Sequence, residues 1–337
     1  MQTYLDSICR GVHLSHAQAS DVFGTLVAGD LDPVQISALL VALRAKGEQP
    51  EEIAGAAQAL RDSAVSFPRP DYRFADSCGT GGDGAGTINI STTVAVVAAE
   101  MGIPLAKHGN RSVSSSCGSA DVLEQLGVKI DAPVEVARRC LDEVGLCFLF
   151  APSYHQGLRH AMSVRRTLSI RTIMNVLGPL VNPARPAVQM VGVYDPALCV
   201  PLARTLGLLG CEAALVVHGS GLDEVALHGP TQAALLSDGG VIELTIRPEH
   251  AGLDTLPLGQ LEGGGPERNA SKLRSLLEGR GNDAHVAAVA INAGALAWVF
   301  GNVADIRGGT DLALEVIGSG RAAARLERLA RLSHGAD

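Results

Sequence analysis

From Arg73 onward, apolar runs of about four residues alternate with segments of helical periodicity, and that alternation is what most limits the possible folds. A chain patterned in this way builds a sheet that is largely parallel, with helices on its faces. Strands are expected at 74–76, 103–106, 147–150, 190–193 and 214–217. Helices are expected at about 91–101 and 119–126, from near Pro133, and between the last two strands. The stretch 225–246 has a different rhythm. Its short apolar runs are separated by His228-Gly229-Pro230 and Asp238-Gly239-Gly240, which suits an antiparallel meander. From Asn269 the pattern is again mostly helical.

The chain before Arg73 reads as helices alone. Ser15 can cap a segment ending near Gly29. Asp32-Pro33 supplies an N-cap and a first-turn proline, with Gln35 at the capping-box position. Ile36, Leu39, Leu40 and Leu43 then form one apolar stripe, and Gly47 ends the helix. Another helix spans 50–64, and Phe67-Pro68-Arg69-Pro70 reads as a linker. The expected fold class is α/β: a small N-terminal helical domain, then a large α/β domain with a mostly parallel central sheet and surrounding helices.

Composition narrows the function. With 47% hydrophobic but only 3% aromatic residues, the core has to be aliphatic. A formal net charge of -8 argues against binding a nucleic-acid backbone, which requires clustered Lys and Arg. The seven cysteines include no CxxC pair, so neither a zinc site nor a thioredoxin-like motif is indicated, and reduced thiols are expected. Residues 1–10 lack the basic-then-apolar pattern of a signal peptide. The longest apolar run, 286–300, is interrupted by Asn292 and Gly294 and is shorter than a membrane span. A cytoplasmic location and no membrane partner are therefore expected.

Two polar stretches carry the chemistry. The first, Asp76-Ser-Cys-Gly-Thr-Gly-Gly-Asp-Gly-Ala-Gly-Thr-Ile-Asn-Ile-Ser-Thr-Thr93, leaves a strand and opens into a helix. Glycines allow close approach to an anion, and the N–H groups at a helix start can cradle phosphate. Asn89, Ser91 and Thr92 add side-chain donors. The loop is neither a P-loop nor the GxGxxG of dinucleotide folds. Asp83 is out of place electrostatically unless it receives sugar hydroxyls or helps place a metal. The second stretch, Lys107-His-Gly-Asn-Arg-Ser-Val-Ser-Ser-Ser-Cys-Gly-Ser-Ala-Asp121, brings two cations, many hydroxyls and a helix start at Ser119, read as an N-cap. Both loops follow the carboxyl ends of strands, where open α/β sheets bind ligands.

GTGGDGAGTINIST followed by KHGNRSVSSSCGSADVLE resembles the anthranilate phosphoribosyltransferase family, and the likeness runs through RTIMNVLGPLVNP to Asp223-Glu224. The resemblance implies that Gly79, Gly82, Asp83, Thr87, Asn89, Ile90, Ser91, Thr92, Lys107, Asn110, Ser114, Ser115 and Ser119 bind phosphoribosyl pyrophosphate (PRPP). It places Gly79, His108, Asn110, Tyr154, His155 and Arg165 at anthranilate, with Arg165 receiving the carboxylate. It implies Mg2+, two ions in number, with Ser91 at the pyrophosphate-bound ion and Asp223 and Glu224 at the other. The segment at about 166–185 is implied to complete a small domain of residues 1–68, leaving 71–165 and 186–337 as the large domain. Relatives of this type are typically homodimers. This chain departs from the family pattern at Ser116, where many relatives carry lysine, and at Cys117, where serine is frequent; a weaker phosphate contact from that loop is the expectation.

The implied reaction is displacement at the ribose anomeric carbon by the anthranilate amine. No general base stands out, and Lys107, His108, Asn110 and Arg165 would act by positioning. Two other functions compete: a pyrimidine nucleoside phosphorylase, which shares the fold and a GTGG loop, and a nucleic-acid-binding relative without this activity.

Overall fold

The computed structural model describes residues 1–112 and 116–335. Four helices come first: α1 (Gln2–Cys9), α2 (His16–Ala28), α3 (Pro33–Lys46) and α4 (Pro50–Asp62). Asp32 forms the capping box expected of it with Gln35, and Ser15 caps its helix as expected, in a capping box completed by Gln18. Ile36, Leu39, Leu40 and Leu43 are all buried.

Then follow β1 (Ala75–Gly79), α5 (Ile90–Glu100), β2 (Leu105–Gly109), α6 (Ser119–Gln125), α7 (Val134–Val144), β3 (Leu146–Phe150), α8 (Ala151–Tyr154), α9 (Arg159–Leu168), β4 (Val188–Gly192), α10 (Cys199–Leu208) and β5 (Ala213–Gly219). After β6 (Thr231–Ser237) and β7 (Gly240–Ile246) the chain closes with α11 (Pro266–Leu277), α12 (Asp283–Phe300), α13 (Ile306–Ser319) and α14 (Arg321–Ser333). The stretch 225–246 is antiparallel, as expected, but contributes two strands. Val225 to Leu227 form no strand. Instead β6 and β7 make a single hairpin, which extends the main sheet antiparallel to β5.

The seven strands lie in the order β3-β2-β1-β4-β5-β6-β7, parallel from β3 to β5. The chain builds outward from β1 to one side, then returns to start β4 on the other. β1 and β4 therefore flank the switch point, where the crevice for a ligand opens. Side chains alternate across the sheet. Leu215 and Val217 join the apolar cluster of α5 and α12, whereas Ala214 and Val216 join the cluster of α1–α4 and α10. Ile173, Met174, Leu177 and Leu180, between α9 and β4, pack into that second cluster too. The apolar helix α12 is long enough to cross a membrane, but 83% of it is buried inside the protein, where it serves as a core helix.

Candidate active site

Strands β1 and β2 extend further than their apolar runs suggest. Hydrogen bonding carries β1 to Gly79 and β2 to Gly109, so Lys107 and His108 project from a strand rather than a loop. This accounts for their burial, at 2% and 5% exposed. Lys107 Nζ donates to the Ser77 carbonyl and, at 3.4 Å, to Ser91 Oγ. Asp76 lies beneath, fully buried, accepting from Asn182 Nδ2 at 2.8 Å. Burial raises the Asp76 pKa, and the nearby Lys107 charge opposes that rise.

At the switch point Gly79 and Gly192 are register partners. A Cβ on Gly192 would fall 1.5 Å from the Asp223 carbonyl oxygen, and one on Gly79 would fall 2.4 Å from Asp223 Oδ2. Two glycines facing each other are what admit the loop after β5 over the strand ends. That loop lays its acids on the phosphate-type donors. Gly81 N–H donates to Asp223 Oδ2 at 2.7 Å, and Ser91 N–H donates to Glu224 Oε1 at 3.1 Å. The backbone at Val225 is hooked from below by Asn292 of α12, which donates to its carbonyl at 3.0 Å and accepts from its N–H at 2.8 Å.

The acids are crowded. Burial, then the Asp83 charge, pushes the Asp223 carboxyl up to about 7. Glu224 is held well above the usual carboxylate range by burial and by Asp223. Among the described residues no three His, Cys, Asp or Glu side chains form a metal cage. A carboxylate pair with a neighbouring hydroxyl suits a hard cation such as Mg2+, which keeps waters and substrate phosphates as its other ligands. Such an ion would offset both the burial and the repulsion that raise these two groups.

One cavity of about 390 Å³ joins these groups to the helices beyond. It is lined by Gly79, Gly82, Asp83, Thr87, Asn89, Ile90, Ser91 and Thr92, by Lys107, His108, Asn110 and Ser119, and by His155, Arg165, Asp223 and Glu224. Ser116 and Cys117 also line it. Ser114 and Ser115 lie outside the described residues. Tyr154 is not brought to the cavity: Ala151, His155 and Leu158 line it, and Tyr154, one residue off that face, is buried in the α/β core. Ser119 is not an N-cap either. Gly118 holds that position, and the Ser119 hydroxyl donates to the Asn110 carbonyl at 3.3 Å.

His108 and His155 meet edge to face at 5.2 Å between ring centroids. Burial is the main cause that pushes His108 down to about 3 and His155 to about 4, so both rings are neutral at pH 7. Positive charge for a carboxylate ligand therefore has to come from elsewhere. Arg165, half-buried on α9, has no acidic partner among the described residues, and burial lowers its pKa.

Sequence reasoning missed Arg171. Its guanidinium lies over the Tyr194 ring at 3.7 Å and donates to the Gly82 carbonyl at 2.8 Å. It tethers the segment after α9 to the glycine-rich loop. No local pattern marks it; only its place at the head of the RTIMN run set it apart.

Comparison with known proteins agrees with this architecture. Two family profiles match: "Glycosyl transferase family, helical bundle domain" over residues 2–64 and "Glycosyl transferase family, a/b domain" over residues 71–323. The chain is 62% identical to the anthranilate phosphoribosyltransferase of Sorangium cellulosum over 99% of its own length and 96% of that protein's. It superposes on the anthranilate phosphoribosyltransferase of Thermus thermophilus with a TM-score of 0.94 at 42% identity, over 98% and 99% of the two chains. The Saccharomyces cerevisiae enzyme in complex with PRPP and Mg gives a TM-score of 0.90 at 27% identity, over 99% and 98%.

Proposed function

Because the chain belongs to the anthranilate phosphoribosyltransferases, we propose the following division of labour among its residues. The protein is a pentosyltransferase of tryptophan biosynthesis. It transfers the phosphoribosyl group of PRPP to the amine of anthranilate, giving N-(5-phosphoribosyl)anthranilate and pyrophosphate. The carrying observation is a single cavity that combines a glycine-rich anion loop and a carboxylate pair with an arginine that has no acidic partner among the described residues.

PRPP is placed on the loop of Gly79, Gly82, Asp83 and Thr87 and on the start of α5. Lys107, fixed from below by the Ser77 carbonyl, faces the leaving pyrophosphate. Asp223 and Glu224, with Ser91, would hold Mg2+, and we propose two ions. Bound there with PRPP, Mg2+ would neutralise charge on the pyrophosphate. Arg165 takes the anthranilate carboxylate through charge-assisted hydrogen bonds. Asn110 and the neutral His108 align the amine with the anomeric carbon. The amine nitrogen forms the new C–N bond as the C–O bond to pyrophosphate breaks, with inversion. The nitrogen then releases its proton, and a weakly basic aromatic amine needs no dedicated base for that step.

Several further features belong to the same reading. We propose a small domain of residues 1–68 completed by about 166–185, against a large domain of 71–165 and 186–337. A homodimer through the helical domain is supported by the exposed Val34 and Val41, seven residues apart on α3. The absence of a nucleic-acid partner is supported by the net charge of -8, and a cytoplasmic location by seven free cysteines. The near full-length identity to transferases sets aside the phosphorylase reading.

Anthranilate fluorescence tests the function directly. It is expected to decay only when protein, PRPP and Mg2+ are all present; persistence with folded protein would refute the assignment. In the same assay Arg165→Ala should raise the anthranilate KM about 10- to 100-fold, the worth of a hydrogen bond to a charged group, with a smaller change in kcat. An unchanged anthranilate KM would remove Arg165 from the acceptor site.

A further inference from the structure

Asn89 sits at the N-cap position of α5, yet its side chain makes no bond to its own helix. Both ends of the amide reach outward. Nδ2 donates to the Cys117 carbonyl at 3.0 Å, and Oδ1 accepts from Asn269 Nδ2 at 2.8 Å. Asn269 lies in the first turn of α11, 1% exposed, and its own backbone N–H is used by the Gly265 carbonyl. The strap leading into α11 runs against the glycine-rich loop: Gly263 N–H donates to the Gly86 carbonyl at 2.8 Å and Ile88 N–H to the Leu261 carbonyl at 3.1 Å. A Cβ on Gly263 would come within 2.3 Å of the Thr87 carbonyl oxygen, so the strap and loop backbones are in close contact.

This arrangement has only one consistent polarity. A backbone carbonyl accepts and never donates, so the atom of Asn89 facing Cys117 has to be its NH2 group. Its oxygen then points to α11, and the residue there has to be a donor. The amide of Asn269 is one; an aspartate or an aliphatic side chain is not. With one hydrogen of Nδ2 and one lone pair of Oδ1 committed, the plane of the amide is fixed, and Asn89 lines the cavity.

We infer that Asn269 is a positioning residue for PRPP: acting from α11, it sets the orientation of the Asn89 amide and so aims the remaining N–H of Asn89 at an anionic oxygen of the substrate. The inference rests on the functional reading above, since it needs PRPP to occupy the glycine-rich loop. Asn269 itself does not line the cavity. Its effect passes through Asn89, and it acts on PRPP rather than on anthranilate.

The test is calorimetric titration of PRPP with Mg2+ into the full-length native protein, Asn269→Leu, Asn89→Ala and the double variant, each checked for native circular dichroism. Asn269→Leu keeps the branched shape and removes the donor; Asn269→Ala, which also has no side-chain donor, serves if the leucine variant does not fold. Either is expected to weaken PRPP binding about tenfold, the worth of one well-placed hydrogen bond, while the anthranilate KM stays within about twofold. In the Asn89→Ala background the second substitution should add nothing, because the group it orients is gone. A folded Asn269 variant that binds PRPP within about twofold of native, or losses that multiply in the double variant, would overturn the inference. Native protein that binds no PRPP would instead sink the functional reading itself.

Discussion

Lys107→Met is expected to lower kcat/KM about 10²- to 10³-fold, the loss typical of removing one preorganised group that stabilises developing charge. The substitution keeps the aliphatic stem, so the strand packing survives. What disappears is a cation held between the Ser77 carbonyl and the Ser91 hydroxyl, above a fully buried Asp76 and beside Glu224. Lys107 opposes the burial-driven rise of both acids. Without it Asp76 stays in the core with only its hydrogen bonds to compensate, and an uncompensated buried charge is destabilising. The variant should therefore lose melting temperature as well as activity. Steady-state kinetics and thermal denaturation check the two effects separately. A variant with native kcat/KM would take Lys107 out of the reaction whatever its stability.

Asp223→Asn is expected to move activity and stability in opposite directions. Activity should fall about 10²- to 10³-fold, because the variant loses a charged oxygen proposed to hold Mg2+ against the leaving group. Stability of the substrate-free protein should rise at pH 8. In the unfolded chain an aspartate titrates near about 3.9; in the fold, burial and the Asp83 charge push Asp223 up to about 7. A raised carboxylate pKa means that the folded state binds more protons, so this group costs nothing below the unfolded value. Its cost grows as pH rises from there to the folded value, and is complete above it. Asparagine is neutral throughout and still accepts from the Gly81 N–H. The gap in melting temperature between Asp223→Asn and native protein should be widest at pH 8 and should close as pH falls toward about 4. If the variant melts at or below native at pH 8, Asp223 is not strained as described. Opposed effects of this kind mark groups that a fold tolerates for function.

The glycines show where local reading stops. The run Gly79 to Gly86 is conspicuous in the sequence, and its place between a strand and a helix follows from periodicity alone. Gly192 is an ordinary strand residue until the sheet order sets it opposite Gly79 and brings Asp223 down on both. In the sequence Asn292 does no more than interrupt an apolar run; in the fold it holds the backbone beside the acid pair. Asp223-Glu224, a weak signal alone, gains its meaning from amides at Gly81 and Ser91. The expectation for Tyr154 misses by one residue, because a short helix turns neighbouring side chains to different faces; Ser119 starts its helix and lines the cavity, and only the N-cap falls one residue earlier, on Gly118.

The sequence by itself determined most of the helices and strands, where the capped helices begin, and which two loops follow strand ends. Caps, turns and periodicity act over a few residues, so their signals are written in contiguous sequence. Only the tertiary structure decided that the acids after β5 lie on the loop after β1, that Arg171 holds Gly82 and that Asn269 orients Asn89. The bond from Gly81 to Asp223 spans 142 positions and that from Asn269 to Asn89 spans 180. Contacts at such separations depend on strand order and on how helices settle over the sheet, and both are set by the burial of the whole core rather than by any local pattern.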